Sequence, residues 1–225
     1  VRRIPGLDVI EEAIGRAVEM GRPVFDIIGM GTFTDKYAPM TVAGLSVLGY
    51  VARLCARLGA KLIAPMASVD VMPVAAEIVR DAYLAEGKLE ELDLESQLPY
   101  LSGTQFAWAG AIVGMAQRLK PATNIMIGPF WAESMLFAEG FSRVGAFQIG
   151  GTARLYQLPF FAAVCDYVLI GEEIFAAGAY VSKDPVMIGS LAAQDLGKMI
   201  AIILGLIGAI LSTAGVEVVL KMLKV

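Results

Sequence analysis

The sequence predicts an α/β domain of doubly wound type, a mostly parallel five-stranded sheet with helices on both faces, followed by one transmembrane helix near the C-terminus. Three observations carry this reading. Short apolar runs alternate with helix-length amphipathic segments from the start of the chain to about residue 172. Four of the five apolar runs end in glycine, at Gly29, Gly128, Gly150 and Gly171, where a residue without a Cβ eases the turn from strand into helix. Finally, the eighteen residues Met199 to Val216 carry no charge.

The first segment, Leu7 to Met20, sets Ile10, Ile14, Ala17 and Val18 on one face of a helix and Glu11, Glu12 and Arg16 outside it. Gly21 and Pro23 stop it, and Val24 to Gly29 is the first strand. After a polar loop, Met40 to Leu58 reads as a long helix of small residues. Arg53 and Arg57 complement the negative end of its dipole, and Gly59 ends it. Lys61 to Met66 is the second strand, and Val71 to Ala85 the next helix. Lys88 to Pro99 is the most acidic stretch and reads as a solvated surface excursion. Thr104 to Leu119 is helical, Thr123 to Gly128 the third strand, and Trp131 to Phe141 helical again. Ala146 to Gly150, Leu155 to Val164 and Tyr167 to Gly171 complete the alternation as strand, helix and strand. Strands buried on both faces belong to a parallel sheet covered by helices, but their order is not readable from this pattern.

Composition narrows the function. Hydrophobic residues make up 57% of the 225, against about 45–50% in soluble proteins. The net charge of −4 leaves no broad basic surface, so nucleic acid is not an expected partner. There is no histidine, which removes the usual general base, the Ser-His-Asp and Cys-His arrangements, and histidine metal sites. Cys55 and Cys165 each lie within an apolar run and read as buried thiols of a reducing compartment. No catalytic residue, resident metal or cofactor is expected.

The charge-free run divides the chain into an α/β domain at 1–198, a transmembrane helix at 199–216 and a short tail at 217–225. Its length meets the spanning threshold of about 18 residues. Ala201, Gly205 and Ala209 recur at every fourth position, a spacing that lets membrane helices approach closely, and so form the expected oligomer interface. The alternative is a buried helix of a soluble core. Arg2, Arg3, Lys183 and Lys198 on the domain side, against Lys221 and Lys224 beyond the run, place the domain in the cytoplasm.

In open parallel sheets, ligands bind beyond the carboxyl ends of the strands. The candidate ligand-binding residues there are Thr32, Asp35, Ser68, Asp70, Glu133, Gly151, Thr152, Glu172 and Glu173. Gly150-Gly151-Thr152 offers backbone N–H groups to an anion, though no GxGxxG or GxxxxGK[ST] pattern supports it and such glycine pairs are usually plain turns. Asp35, Asp70, Glu133, Glu172 and Glu173 are oxygen donors of the type that bind Mg²⁺ or Ca²⁺, and equally the type that caps helix N-termini. Glu172 and Glu173 stand out: two carboxylates in an otherwise apolar run are costly unless something neutralises them.

Several blocks carry a family resemblance: RRIPGLDVIEEAIGRAVEMGRPV, TVAGLSVLGYVARLCARLGAKL, EIVRDAYLAEGK, and AFQIGGTARLYQLPFFAAVCDYVLIGEEIFAAGAYVSKDPVMIGSLAAQDLGK. In combination they resemble an uncharacterised prokaryotic family of membrane-associated proteins, a domain of unknown function. The resemblance implies a domain held between hydrophobic segments, with one preceding the Arg-Arg-Ile-Pro-Gly start in relatives. It brings no activity and no catalytic residues.

The expected function is therefore that of a membrane-anchored, non-catalytic structural or scaffolding subunit of a homo-oligomeric or larger membrane assembly. Its partners are the lipid bilayer, copies of itself and other membrane proteins. The competing expectation is an enzyme or sensor that binds a small polar or phosphorylated ligand at the carboxyl edge of the sheet.

Overall fold

The computed structural model describes residues 5–213. Ala214 to Val225, with Lys221 and Lys224, lie outside the described residues, as do Arg2 and Arg3. The chain forms two compact units, divided between Ser182 and Lys183.

The first unit is built on a five-stranded sheet. Its strands are β1 (Val24–Ile27), β2 (Leu62–Ile63), β3 (Thr123–Ile127), β4 (Phe147–Thr152) and β5 (Tyr167–Ile170). They are ordered β2-β1-β3-β4-β5 and all pairs are parallel. Among the described residues eight α-helices accompany them: α1 (Pro5–Met20), α2 (Ala38–Leu58), α3 (Met72–Ala85), α4 (Leu94–Gln97), α5 (Gln105–Leu119), α6 (Glu133–Arg143), α7 (Leu158–Val164) and α8 (Glu173–Ser182).

Side chains of successive strand residues leave the sheet on opposite sides, and this alternation splits the core in two. Val24, Leu62, Ile125 and Ile127 meet Ile10 and Ile14 of α1, Val47 and Val51 of α2, Val79 of α3 and Ile174 of α8. On the other side, Phe25, Ile27, Ile63 and Met126 meet Trp108 and Ile112 of α5, Phe137 and Phe141 of α6, and Phe161 of α7. This second layer is aromatic and packs edge to face, with ring centroids 5.3 Å apart for Phe25–Phe141 and 5.1 Å for Trp108–Phe137. Each fully buried large side chain contributes about 1.5–3 kcal/mol relative to exposure. The doubly wound, parallel, five-stranded architecture predicted from the sequence is the one observed.

Two segments differ from the sequence reading. The acidic stretch is not only a surface excursion. Its glutamates are solvated, but a 3₁₀ turn (Leu89–Glu91) and α4 lead the chain back alongside β2, where Leu98 is buried. There the Ala64 N–H donates to the Gln97 carbonyl at 2.6 Å and the Met66 N–H to that of Pro99 at 2.9 Å. The segment thereby covers the edge that the two-residue strand β2 would otherwise leave unpaired. The second unit contains α9 (Pro185–Thr213), so the helix that carries the charge-free run begins well before Met199. An Asp195–Lys198 pair at 3.5 Å lets two charges sit within it one turn apart.

Asp26 is the one acid on the buried face of β1. It is fully buried beneath α2, and neither carboxyl oxygen has a hydrogen-bond partner. Burial therefore holds its carboxyl well above the usual carboxylate range. Burial first, and the nearby Asp26 second, raise the Cys55 thiol as well. At acid pH both folded and unfolded chains carry the Asp26 proton. As pH rises, the unfolded chain releases it first, so Asp26 makes stability fall with increasing pH until its own folded value is passed. Asp26→Asn should remove that slope. Thermal denaturation from pH 4 to pH 8 should show a gain of a few degrees at the alkaline end and little at pH 4. An equal effect at both ends would mean that the carboxyl is not protonated in the fold.

Candidate functional site

Strands β1 and β3 are neighbours, yet the chain leaves β1 toward β2 and leaves β3 toward β4. Their carboxyl ends mark the point where the winding reverses, which is where ligands enter folds of this kind. Here that crevice is closed. Gly29, with φ +83°, lies so near Pro129 that a Cβ on it would stand 2.2 Å from the Pro129 carbonyl oxygen. A Cβ on Gly128 would stand 2.2 Å from that of Ile28. The two loops run backbone against backbone, a contact that only glycine permits.

Three loops meet above this contact. The β1–α2 loop is shaped by Asp35, whose carboxylate accepts the Thr32 N–H at 3.0 Å and the Tyr37 N–H at 2.6 Å. The β3–α6 loop is held by the buried Glu133, which accepts the Trp131 N–H at 2.9 Å and a second hydrogen bond from the Gln105 amide. The β4–α7 loop contributes Arg154, whose N–H donates to Thr152 Oγ1 at 3.3 Å. Tyr37 and Trp131 close across the crevice edge to face, 5.1 Å apart. Arg154 is only 7% exposed, and its guanidinium carbon sits 4.3 Å from the Trp131 ring centroid, 4.6 Å from Tyr156 and 4.7 Å from Tyr37.

The sequence-named residues fall into separate groups. Thr32 and Asp35 form one loop, with Thr32 Oγ1 3.2 Å from that of Thr34. Ser68 and Asp70 hydrogen-bond to one another at the entry to α3, and the Asp70 carboxylate also faces the backbone N–H of Phe33 in the β1–α2 loop; the Ser68 bond first, with these backbone N–H groups, lowers the exposed Asp70 carboxyl below its usual value. Gly151 and Thr152 are inside β4 rather than after it, paired to β3 or β5 through the ladder. The glycines there serve packing: a Cβ on Gly150 would lie 2.8 Å from Cys165 Sγ, and one on Gly151 3.0 Å from Leu169. They therefore present no free loop N–H groups to an anion. Glu172 and Glu173 are both exposed, so the desolvation cost inferred from their apolar sequence neighbours does not arise. Glu173 accepts the Ile170 N–H at 2.9 Å at the start of α8. Asp35, Asp70, Glu133, Glu172 and Glu173 are not gathered: among the described residues, no three acids or cysteines converge as a metal site would require.

A cleft of about 270 Å³ lies at the opposite edge of the sheet, between the end of α2, the end of α3 and α4. Cys55, Lys61, Tyr83 and Asp93 line it. Burial pushes the Tyr83 hydroxyl up to about 12.

The chain matches a family model described as Domain of unknown function (DUF6754) over residues 1–223. It belongs to this family. The DUF6754 assignment agrees with the resemblance to a domain of unknown function and spans both units. No curated protein and no solved structure matches the chain.

Arg154, Tyr37 and Tyr156 are the residues that the sequence reading missed, although it set Trp131 at this edge. One signal was available: between Arg143 and Asp166 the only charged residue is Arg154, two residues beyond the end of β4. The support for this cluster is itself testable. Glu133→Ala leaves the half-buried Trp131 N–H and Gln105 amide without their acceptor, at no more than about 1–3 kcal/mol each, the cost of a fully buried stranded group. Thermal denaturation should show a clear loss, accompanied by a shift of Trp131 emission toward that of a solvated indole. An unchanged melting point would mean that water replaces the carboxylate without cost.

Proposed function

We propose that the DUF6754 chain is a non-catalytic subunit fixed to a membrane by α9. The carrying observation is the character of that helix. It has 29 residues, an 18-residue stretch of mean hydropathy 2.0 and no buried residue. Exposed Ile200, Ile202, Ile203, Leu204, Leu206, Ile207 and Ile210 are costly in water and favourable in lipid. α2 is the instructive contrast: it is also long and apolar, but more than half of it is buried within the first unit. The non-catalytic part of the proposal is supported by the absence of histidine and by edge carboxylates already engaged in holding loops.

On this reading the first unit faces the cytoplasm. The basic residues flanking the apolar run and the two free cysteines, one buried and one half-buried, support that side. Truncation after Ser182 should move the protein from the membrane to the soluble fraction with its helical circular dichroism otherwise retained. Aggregation of the truncated chain, with the full chain soluble in the absence of detergent, would show that α9 is part of a soluble core.

We further propose that the anchor self-associates through Ala201, Gly205 and Ala209. All three are exposed, and a Cβ on Gly205 meets nothing within 4 Å of the chain itself. Gly205→Ile is therefore tolerated within one copy and obstructs only a second helix. Native mass spectrometry of the detergent-solubilised protein should show a smaller assembly for this variant. Unchanged stoichiometry would remove the stripe from any interface.

A further inference from the structure

We propose that Arg154 is the centre of a phosphate-binding site at the carboxyl edge of the sheet. Burying a cation is costly unless an anion or a set of hydrogen-bond acceptors compensates it. Arg154 has neither: Nε and Nη1 are buried, and neither has a hydrogen-bond partner. The rings of Trp131, Tyr156 and Tyr37 stack near the guanidinium and favour its charge, but stacking does not satisfy N–H donors lying in the guanidinium plane. The acceptor that suits those donors is an oxyanion.

A second cation sets its class. Lys36 is exposed, its ammonium lies 5.2 Å from the centroid of the same Tyr37 ring, and it makes no ion pair among the described residues. The carboxylates of the two adjoining loops, Asp35 and Glu133, are already engaged by N–H donors. Two uncompensated cations on one ring favour a phosphate monoester, nearly a dianion at neutral pH, over a carboxylate. Tyr156 is 59% exposed and forms the outer wall of the site, with Leu155, 71% exposed, beside it. The phosphate belongs either to a soluble molecule or to a lipid headgroup. The site stands independently of whether α9 enters a membrane.

Trp131 reports directly on Arg154, so its fluorescence is the readout. Full-length protein in an uncharged detergent is titrated with inorganic phosphate at constant ionic strength. In parallel, it is placed in phosphatidylcholine nanodiscs with and without phosphatidic acid. A saturable change in emission is expected, absent in Trp131→Phe, abolished in Arg154→Met and weakened about tenfold in Lys36→Met. Because Lys36 is exposed, its variant decides the matter if Arg154→Met does not fold. A response to inorganic phosphate alone assigns a soluble ligand, and one to phosphatidic acid nanodiscs alone assigns the headgroup. No saturable response in either arm, or one unchanged in Arg154→Met or in Lys36→Met, overturns the proposal.

Discussion

The contact between the ends of β1 and β3 governs the carboxyl edge of this fold. Gly29 against Pro129 and Gly128 against Ile28 bring two loops together at backbone distance, in the place where related architectures leave a crevice. Side chains on those loops then have little freedom. Tyr37 and Trp131 must meet, and the β4–α7 loop that crosses above them delivers Arg154 onto both rings. Asp35 and Glu133 fix the two loops by accepting backbone N–H groups that have no strand or helix partner there. Asp35 and Glu133 thus have a structural role first, because they accept the N–H donors that hold these loops in place.

What the sequence made legible follows from local periodicity. Each strand shows as an apolar run, and Gly29, Gly128 and Gly171 do end strands with positive φ. Gly150 breaks that rule because its role is cross-layer: it makes room for Phe161 and Cys165. Strand order was not legible, since the pairing of β1 with β3 joins Val24 to Thr123, and no local pattern records so distant a partner. The same limit hid Arg154, whose surroundings come from three loops far apart in the chain. Glu172 and Glu173 show the converse. Their apolar sequence neighbours implied burial, but both acids lie where edge strand β5 gives way to α8, and there the chain meets water.

Helices α2 and α9 show how length and hydropathy alone mislead. Both are long and apolar enough to span a membrane. In α2 the apolar residues are the ones that contact β3, α3 and α8, and the polar ones are outside: Arg53 pairs with Glu86 at 2.6 Å and Arg57 with Glu11 at 2.9 Å. That is the distribution of a helix buried along a stripe and wetted along the rest. α9 beyond Lys198 has no polar face to wet until Ser212 and Thr213, and Thr213 returns its hydroxyl to the Ala209 and Ile210 carbonyls, as hydroxyls do in lipid-facing helices. The discriminating quantity is where the apolar surface goes, and composition does not report it.

The chemistry available to the fold follows from the same accounting. Proton transfer near neutral pH needs a group poised to gain and lose a proton, and this sequence offers no histidine. Asp26 is fully buried on the β1 face away from Phe25 and Ile27, and both cysteine thiols are pushed upward by burial. Neither is poised for nucleophilic work. What remains at the edge is positive charge on Arg154 and Lys36, held by aromatic rings rather than paired with acids. Charge of that kind attracts and orients an anion but does not exchange protons with it. The proposed binding without catalysis therefore rests on the same physical fact twice: the carboxylates that would make the edge reactive are consumed in building the loops that hold the arginine.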